Sequence, residues 1–488
     1  MYNIIIYIYL FGIAIASLFN KKVKKLWQGE RQALSILRSK VKPDDKYVWF
    51  HAASLGEFEQ GRPIMERLRK EHPEYKILLT FFSPSGYEVR KNYDGADIIC
   101  YLPIDTPFNA RRFLRTVRPV MAFFIKYEFW YNYLHILKHR GIPTYSVSSI
   151  FRDGQIFFRW YGKQYGRVLK CFTHFFVQNE KSRELLASIG ITDVSISGDT
   201  RFDRVLEIKE LAKKLEIVEA FVEDASRSVG VQECRSADNT SSASNLSTES
   251  SNLSTCQLVN SFTEETNSST ESSNLSTRQL VNSFTEETNS STGSSNLSTC
   301  QLVNSSTKKI FVAGSSWQPD EEIFIKYFNE HPDWKLIIAP HVIGESHLQQ
   351  IIKQLDMPVV RYTQTTPEEA RNARCLIIDC FGLLSSIYNY GTVSYVGGGF
   401  GVGIHNVLEA AVWNIPVIFG PNNARFAEAQ ALKANGGGIE ITDYDSFAAV
   451  MDGFIADEAS LQKAGEAAGN YVKQNAGATD VVVKGVKL

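Results

Sequence analysis

The sequence predicts an α/β protein with two doubly wound domains, each built around a parallel sheet. Short apolar runs of strand length alternate with amphipathic helical stretches between residues 47 and 197, and again between residues 309 and 420. This alternation is typical of parallel sheets covered by helices on both faces. A long segment rich in Ser, Thr and Asn separates the two halves. Two such domains of similar size face each other across a cleft in many nucleotide-sugar enzymes.

Length and composition agree with a multidomain globular protein. The chain has 488 residues, 44% of them hydrophobic and 22% charged, and a formal net charge of −1. This length predicts about two to four domains. A net charge near zero provides no general attraction to nucleic acid, so we expect no nucleic-acid partner. The seven cysteines form no C-x-x-C pair and no zinc spacing, which indicates a reducing compartment and no structural metal.

The N-terminal segment, residues 1–26, is predicted to anchor the protein in a membrane. The run "IIIYIYLFGIAIASLF", from Ile4 to Phe19, carries no charge, and four lysines follow between residues 21 and 25. A spanning helix needs about 17–25 apolar residues, and lysines mark its cytoplasmic side. A cleaved signal peptide would have positive charge before the apolar run. An interfacial helix would show a polar face. The sequence therefore favours one spanning helix with the body on the cytoplasmic face.

The first domain is predicted over residues 27–208 and the second over residues 309–488. Strand runs of the first domain are residues 47–50, 76–82, 97–102, 120–125, 143–149, 172–178 and 194–197. Strand runs of the second are residues 309–314, 334–340, 373–379, 392–398 and 416–420. Two closing helices are expected at about residues 457–476 and 479–487.

Residues 209–308 are predicted to be a linker with a disordered repeat. The unit "SNLST(C/R)QLVNSFTEETNSSTES" recurs every 22 residues from Ser251, Ser273 and Ser295. A 22-residue period also suits a solenoid. Each unit, however, has too few large apolar residues to offset the entropy lost on ordering. Its N-x-S/T sequences arise from composition and would remain unmodified in the cytoplasm.

Ligands of open α/β sheets bind beyond the carboxyl ends of the strands, so the loops there are the candidate sites. In the second domain "YVGGGFGVGIHNVLEAAVWNIPVIFGP" has a glycine-rich loop, a helix predicted from His405 or Asn406, and Glu409 one turn inside it. Glycine amides and a helix N-terminus suit a phosphate, and Glu409 suits both hydroxyls of a ribose. A tight turn with a satisfied helix end is the alternative. Further loops that either bind a nucleotide or are ordinary turns are Gly314-Ser315-Ser316, Pro340-His341 and Phe381-Gly382-Leu383.

In the first domain the loops after strands carry hydroxyls and isolated carboxylates, which suits a polar acceptor. These loops are Ser54 to Glu57, Ser83 to Gly86 including Ser85, and Lys126 to Glu128. Glu57 has two interpretations. Ser54-x-x-Glu57 matches a capping box, in which both side chains satisfy helix-terminal amides. The same carboxylate, at the end of a strand facing a nucleotide-binding domain, suits a catalytic base.

Seven motifs, in order along both predicted domains, resemble the 3-deoxy-D-manno-octulosonic acid (Kdo) transferases. They are "HAASLGEFEQGRPIMERLR", "FFSPSGYE", "YLPIDTP", "KYEFWYNYL", "SGDTRFD", "FVAGSSW" and "YVGGGFGVGIHNVLEAAVWNIPVIFGPNNARFAEA". The resemblance implies the two-domain GT-B fold, with two Rossmann-like domains facing a cleft. It implies inverting transfer of Kdo from CMP-Kdo to the 6′ hydroxyl of a lipid A precursor (lipid IVA) in lipopolysaccharide synthesis, without metal or other cofactor. The repeat segment lies outside the resemblance.

The resemblance also implies roles for particular residues. Glu57 matches the family's general base, and Glu128 and Arg201 match positions that stabilise the transition state. Arg201 stands where a lysine is more usual, which keeps the charge but changes its reach. Positions of the CMP-Kdo site map onto Pro340, His341, Phe381, Gly382, Leu383, Asn406, Val407, Leu408 and Glu409. His341 stands where the family has an arginine, and Lys126 where it often has a glutamate.

A CMP leaving group is already anionic, so amides and a cation can stabilise it. The anchor and its lysines would hold the cleft near a membrane acceptor and an anionic inner-membrane surface. Two other functions stay open at this stage. One is a GT-B transferase that uses a UDP-sugar. The other is a membrane-tethered scaffold or adhesion protein, which the Ser/Thr-rich repeats would suit.

The composition of the repeats yields a first prediction. Deletion of residues 228–305 should leave folding and activity intact, because these residues carry too little apolar surface to support the two domains. The melting temperature and the turnover of the deleted and full-length chains provide the measurement. Loss of the folded protein on deletion would show that the repeats are structural.

Overall fold

Two seven-stranded parallel sheets form the framework of the protein. The computed structural model describes residues 2–212, 214–223 and 309–486. The 22-residue repeats predicted to be disordered lie outside these residues. The predicted fold class, two doubly wound α/β lobes, is confirmed.

The first sheet has the strand order β3-β2-β1-β4-β5-β6-β7. Its strands are β1 (Lys46–Ala52), β2 (Tyr75–Phe81), β3 (Ile98–Tyr101), β4 (Met121–Ile125), β5 (Thr144–Ser149), β6 (His174–Val177) and β7 (Val194–Ile196). The order reverses between β1 and β4, which pair directly. The loops that follow these two strands therefore diverge and leave a crevice at their carboxyl ends.

The second sheet has the order β10-β11-β9-β8-β12-β13-β14. Its strands are β8 (Lys309–Ser316), β9 (Trp334–Pro340), β10 (Val359–Arg361), β11 (Cys375–Ile377), β12 (Val393–Val396), β13 (Val417–Phe419) and β14 (Gly438–Glu440). Here the order reverses between β8 and β12. Each strand run predicted from the sequence is confirmed. The three-residue edge strands β10 and β14 were not predicted.

Helices cover both faces of each sheet. In the first part of the chain they are α1 (Tyr2–Phe19), α2 (Lys21–Lys40), α3 (Leu55–Glu71), α4 (Pro84–Arg90), α5 (Pro107–Val117), α6 (Tyr131–His139), α7 (Lys163–Gly166), α8 (Glu180–Ser188), α9 (Arg201–Glu210) and α10 (Glu216–Val222). In the second part they are α11 (Gln318–Glu330), α12 (Glu345–Gln354), α13 (Pro367–Asn372), α14 (Leu384–Ile387), α15 (Leu408–Ala411), α16 (Ala427–Asn435), α17 (Tyr444–Ala456), α18 (Glu458–Gln474) and α19 (Ala478–Gly485). Short 3-10 turns cover Ile156–Phe158, Trp160–Gly162, Leu169–Cys171, Tyr362–Gln364 and Tyr388–Tyr390.

The two lobes exchange chain segments. Phe202 and Phe221, on α9 and α10, pack in the core of the second lobe, although α10 lies within the range 209–308 assigned to the linker. In return Val482 of α19, the last helix, packs against the first sheet. Asp203 accepts hydrogen bonds from the backbone N–H groups of Gly477 and Thr479, at 2.5 and 2.6 Å, and so caps α19. The chain therefore crosses between the lobes twice within the described residues.

Helix α1 is long and apolar enough to cross a membrane by length and composition alone, and it lies near the N-terminus. In the structure, one side of α1 packs against the first lobe. Ile6 and Ile13 form a buried cluster with Leu26 of α2, with Tyr101 at the end of β3 and with Ile104. The rest of the α1 surface is exposed.

Candidate active site

The candidate active site is formed by the loops at the two switch points. In the first lobe Glu57 lies in the first turn of α3, which follows β1, and Lys126 and Glu128 lie in the loop after β4. In the second lobe Ser315 lies at the end of β8, and the glycine-rich residues 397–403 follow β12. Parallel strands end at one edge of their sheet, so each pair of loops borders one crevice.

Three non-glycine residues adopt the left-handed backbone conformation at or next to these strand ends, after β4, near the end of the neighbouring β5, and near the end of β8. Lys126, Ser148 and Ser315 have φ angles of 59°, 53° and 54°. Such residues cost about 1–3 kcal/mol each and cluster at functional sites. At Lys126 the strained turn is held from both sides. Its N–H donates to the carbonyl of Val147, and its carbonyl accepts from the Ser149 hydroxyl, both at 2.9 Å.

Arg201 links the two lobes through an ion pair on each side. Its Nε and Nη2 donate to Oδ2 of Asp199 at 2.9 and 2.8 Å, and its Nη1 donates to Oε1 of Glu428 on α16 at 2.8 Å. Burial by itself would raise the pKa of Asp199, but the Arg201 charge and hydrogen bonds outweigh it and lower that pKa. Asp199 also accepts from the side-chain amides of Gln60 and Gln178. Its carboxylate is therefore ionised and fully bound.

The charge of Lys126 is influenced both by this ion pair and by Glu57. Burial and then the Arg201 charge lower the pKa of Lys126, while the carboxylates of Asp199, Glu57 and Glu428 act in the opposite direction. The two cations and three carboxylates therefore interact as one charged cluster at the crevice of the first lobe. The sequence assigned roles to Glu57 and Arg201 separately, and in the structure both act electrostatically on Lys126.

The capping-box alternative for Glu57 requires bonds to helix-terminal amides. Ser54 is the N-cap of α3, but within the described start of that helix its side chain makes no cap hydrogen bond to the backbone. The Ser54 hydroxyl instead donates to the Glu57 carboxylate. Glu57 is half-buried, so its carboxylate remains open to solvent on one side.

The other two acceptor-side serines lie at the start of α4. Ser83 is the N-cap of that helix and accepts a hydrogen bond from the N–H of Ser85. The Ser83 N–H donates to the carbonyl of Ala53 at 2.7 Å, which ties this loop to the one that carries Glu57. Ser85 is exposed.

Glu128 lies in a chain of polar groups that enters the core of the first lobe. Its Oε2 is 2.8 Å from Nε1 of Trp130 and 3.2 Å from Nε2 of His51. His51 is fully buried, and its Nδ1 lies 2.9 Å from Oγ1 of Thr80. Trp49 donates to the same Thr80 oxygen at 2.8 Å. His51 was quoted within a motif but given no role by the sequence.

The partners of His51 define where its protons lie. The Thr80 hydroxyl donates to the carbonyl of Phe50, so its oxygen accepts from Nδ1 of His51, and the Thr80 carbonyl accepts from it too. Nδ1 therefore carries a proton, which makes Nε2 an acceptor in the neutral ring. Nε2 faces the Glu128 carboxylate, so their contact is a hydrogen bond only when one of the two atoms carries a proton. Both atoms accept from the indole N–H of Trp130, at 3.0 Å to Nε2 of His51 and 2.8 Å to Oε2 of Glu128.

In the second lobe the glycine-rich loop is close-packed against neighbouring backbone. A Cβ on Gly397 would lie 2.6 Å from the Cα of Ser316, and one on Gly399 would lie 2.6 Å from the Cα of Gly420. The N–H of Gly398 donates to the buried carboxylate of Asp320 at 2.9 Å. These glycines therefore allow the loop to fit between β8 and β13.

The loop before Glu409 differs from the prediction. A helix was expected from His405 or Asn406, but α15 covers only Leu408–Ala411 and so offers little helix dipole. The expectation is wrong because the Asn406 side chain itself accepts from the Leu408 N–H at 3.3 Å and replaces the first turn. Val407 and Leu408 are buried beneath it.

Glu409 is satisfied by two neighbouring side chains. Its Oε2 accepts from the Ser385 hydroxyl at 2.5 Å and its Oε1 accepts from the Asn406 amide at 3.1 Å. Burial raises the pKa of Glu409, and these two hydrogen bonds oppose that rise. The carboxylate thus receives two donors, as it would from the two hydroxyls of a ribose.

On the donor side, His341 belongs to an aromatic stack with Trp317 and His405. The His341 ring, which follows Pro340, lies 4.5 Å from Trp317 and 4.6 Å from His405, between ring centroids. Burial and the neighbouring His341 lower the pKa of His405 to about 4, and burial lowers that of His341. At neutral pH the stack is therefore uncharged, so His341 does not replace the charge of an arginine.

The other donor-side residues differ in accessibility. Phe381 is 77% exposed, Gly382 has a φ of 92°, and Leu383 is half-buried. The Ser316 hydroxyl is buried against Glu321, so Ser316 can offer a ligand only its backbone. Gly314 and Ser315 are adjacent to it at the end of β8.

Comparisons with known proteins connect this site to one family. A family model described as 3-deoxy-D-manno-octulosonic-acid transferase (kdotransferase) matches residues 28–204. The 3-deoxy-D-manno-octulosonic acid transferase of Aquifex aeolicus (strain VF5) is 23% identical and covers 81% of this chain and 82% of its own length. That of Haemophilus influenzae (strain ATCC 51907 / DSM 11121 / KW20 / Rd) is 21% identical, and the match covers 89% of this chain and 85% of the relative.

The chain is therefore similar to the 3-deoxy-D-manno-octulosonic acid transferases, over residues 28–204 by the family model and over most of its length by these two relatives. It is a glycosyltransferase, which excludes the scaffold alternative. A solved structure of UDP-GlcNAc 2-epimerase from Neisseria meningitidis, bound to UDP-GlcNAc, superposes with a TM-score of 0.51 at 12% identity and covers 90% of this chain and 99% of its own. At that identity the likeness concerns the fold alone, which is the GT-B architecture.

The packing of the glycine-rich loop yields a prediction. Gly397→Ala should lower the free energy of unfolding by about 2 kcal/mol, because a new methyl meets backbone atoms that cannot move aside. Thermal unfolding of the full chain measures the effect. Gly401→Ala is the matched control, since its Cβ would meet nothing closer than 3.8 Å. Equal stability of the two variants would contradict close packing at Gly397.

A second prediction concerns His51 as a positioning residue for Glu128. His51→Phe should lower kcat about 10- to 100-fold, because it removes the polar ring that lies beside Glu128 and accepts from Trp130. KM for the sugar donor should stay nearly unchanged, because His51 lies in the first lobe, away from the donor-side loops of the second.

His135→Phe is the control for this variant. His135 also lies in the first lobe and bonds to a backbone carbonyl, that of Tyr131, at 2.8 Å. It should lose stability without loss of kcat. An unchanged kcat for His51→Phe at every pH would show that His51 has only a structural role.

Proposed function

We propose that this chain transfers Kdo from CMP-Kdo to the 6′ hydroxyl of lipid IVA, with inversion and without a metal, and that Glu57 is the general base. One observation carries the proposal. Glu57 and Arg201 both act electrostatically on Lys126, and Arg201 is bonded directly to Glu428 of the second lobe. This supports a site in which the Glu57 carboxylate acts near two cations and the opposite lobe.

In the proposed reaction Glu57 takes the proton of the acceptor hydroxyl as its oxygen attacks the anomeric carbon of Kdo. The bond from that carbon to the CMP phosphate breaks, and the phosphate leaves with its charge. Lys126 and Arg201 are the cations proposed to stabilise the leaving phosphate. Inversion requires the base and the leaving group to lie on opposite sides of the anomeric carbon. An acceptor bound to the first lobe and a donor bound to the second would meet this requirement.

Glu128 has a separate role in this proposal. It belongs to the same loop as Lys126, and it accepts from the indole N–H of Trp130 beside His51. Its carboxylate is proposed to stabilise the positive charge that develops at the anomeric carbon of Kdo in the transition state. Ser54, Ser83 and Ser85, on the neighbouring loops, are proposed contacts for the acceptor sugar.

The donor is proposed to bind the second lobe. The Asn406 and Glu409 side chains would bind the ribose of CMP, and the uncharged stack of Trp317, His341 and His405 would border the phosphate or base. The backbone of residues 314–316, 340, 381–383, 407 and 408 would complete the pocket. Residues 27–208 are then the acceptor domain and residues 309–488 the donor domain.

We also propose that the enzyme acts at the cytoplasmic face of the inner membrane. The acceptor is an acylated disaccharide that resides there, and α1 offers a long apolar surface followed by four lysines. Anionic phospholipid attracts such lysines. Residues 1–26 are the proposed attachment segment.

The role of Glu57 can be tested with two glutamate variants of one helix. Glu57→Gln should lower turnover about 10²- to 10⁴-fold, the scale of a lost general base, and leave CMP binding nearly unchanged. Glu59→Gln is the control, because Glu59 is also half-buried on α3 but pairs with Arg90 at 2.7 Å. Wild-type turnover in Glu57→Gln would refute the catalytic assignment.

Donor and acceptor can be tested together by mass spectrometry. Lipid IVA incubated with CMP-Kdo and the purified full-length chain should gain Kdo, and the mass increase counts the units added. UDP-sugars should give no product. A product formed from a UDP-sugar and not from CMP-Kdo would replace the proposed donor.

A further inference from the structure

Helix α1 is held to the first lobe by polar contacts at its N-terminal end. The Tyr2 hydroxyl donates to Oδ2 of Asp105 at 2.7 Å, and Oδ1 of Asn3 accepts from the Asn132 amide at 2.9 Å. Asp105 is fully buried and also accepts from the backbone N–H groups of Asn132 and Tyr133. These contacts attach the first turn of α1 to the body of the protein, beside the loop between β3 and α5.

The opposite end of α1 is attached as well. Asn20 ends α1 and caps α2, and its side chain accepts from the N–H groups of Lys22 and Val23 at 2.9 and 3.3 Å. Between the two ends, Ile6, Leu10 and Ile13 pack onto α2 and the end of β3. Their spacing of three and four residues defines one stripe of the helix. The whole length of α1 therefore lies along the first lobe.

This docking is incompatible with a helix that spans the membrane. Eighteen residues at about 1.5 Å each extend about 27 Å, close to the thickness of the hydrocarbon core. If α1 crossed the bilayer, Tyr2 would be on the far side, away from Asp105. A spanning α1 would also leave the apolar surface of Tyr101 and Ile104 without its partner.

The outward side of α1 is apolar and unpartnered in the described structure. It exposes nine large apolar side chains, each with 44% or more of its surface accessible: Ile4, Ile5, Tyr7, Ile8, Tyr9, Phe11, Ile15, Leu18 and Phe19. Close to the Tyr2 end, Tyr165 lies 6.4 Å from Tyr2 between ring centroids. The preceding turn exposes Trp160 and Tyr161, at 81% and 63%. Aromatic residues of this kind favour the boundary between lipid and water.

Charge identifies the partner of this surface. Lys21, Lys22, Lys24 and Lys25, at the start of α2, are all exposed beside the apolar face. An apolar helix face flanked by lysines is complementary to the headgroups and upper acyl chains of an anionic phospholipid leaflet. A protein partner would need no such row of lysines.

We propose that α1 is an in-plane membrane helix, which stays docked on the first lobe through Tyr2 and Asp105 while its outward face enters the cytoplasmic leaflet. The spanning anchor expected from the sequence is thereby replaced. The expectation rested on the lack of a polar face on α1. The side of α1 that faces the protein is itself largely apolar. Composition therefore does not show which side of the helix contacts protein and which side contacts lipid. The proposal rests on the membrane attachment proposed above.

The position of the N-terminus tests this arrangement in cells. The full-length chain with an N-terminal epitope is expressed, and protease is added to spheroplasts and to inverted membrane vesicles. An in-plane helix keeps the epitope in the cytoplasm, so it should survive in spheroplasts and be digested in inverted vesicles. Digestion in spheroplasts would overturn the in-plane helix but leave the attachment intact. Recovery of the chain in the soluble fraction would overturn both.

A pair of tyrosine variants tests the docking itself. Tyr2→Phe should lower the melting temperature of the purified chain by about 2 °C or more, because it removes a hydrogen bond to a buried carboxyl group. Tyr7→Phe on the same helix is the control, since Tyr7 is 51% exposed, and its melting temperature should match the wild type. Equal melting temperatures of the two variants would show that Tyr2 does not hold α1 on the body.

Discussion

The arrangement of the site depends on one buried ionic contact, that of Asp199 with Arg201. A buried carboxylate is costly unless it is paired and hydrogen-bonded. Asp199 meets this condition with Arg201 and with the amides of Gln60 and Gln178, which come from three different elements of the first lobe. The contact therefore fixes α3, the end of β6 and the start of α9 relative to one another, and it orients the guanidinium toward Glu428.

Because the lobes exchange segments, this contact also influences how the two lobes are joined. Arg201 is the first residue of α9, a helix whose apolar side packs in the second lobe. Two residues later Asp203 caps α19, which packs on the first. The residues that bind the charges of the site and those that join the lobes are thus consecutive in the chain. Any change in the angle between the lobes must act on Arg201 and its bond to Glu428.

Much of the framework could be predicted because parallel strands are continuous apolar runs. Each predicted strand run was found, including short ones. The edge strands β10 (Val-Val-Arg) and β14 (Gly-Ile-Glu) have only three residues and each ends in a charged residue, so neither forms an apolar run. Glu57, Glu128 and Arg201 could be named through the resemblance. His51, Asp199 and Glu428 could not, because their roles arise from partners distant in sequence. The start of the helix that carries Glu409 was predicted too early, because the Asn406 side chain accepts from the Leu408 N–H in place of a first helical turn.

The same local bonds explain how a crevice rich in charge is stable before substrates enter. Glu409 is bound by Ser385 and Asn406, and Arg201 by Glu428. In the proposed reaction a ribose offers Glu409 two hydroxyls, and the donor's phosphate or carboxylate offers Arg201 an anion. Binding then gives Glu409 and Arg201 new partners in place of the old ones, which keeps the cost of their desolvation small. Release of Glu428 from Arg201 would couple the arrival of the donor to the contact between the lobes. The electrostatic environment of Lys126 would thereby change only when the donor is bound.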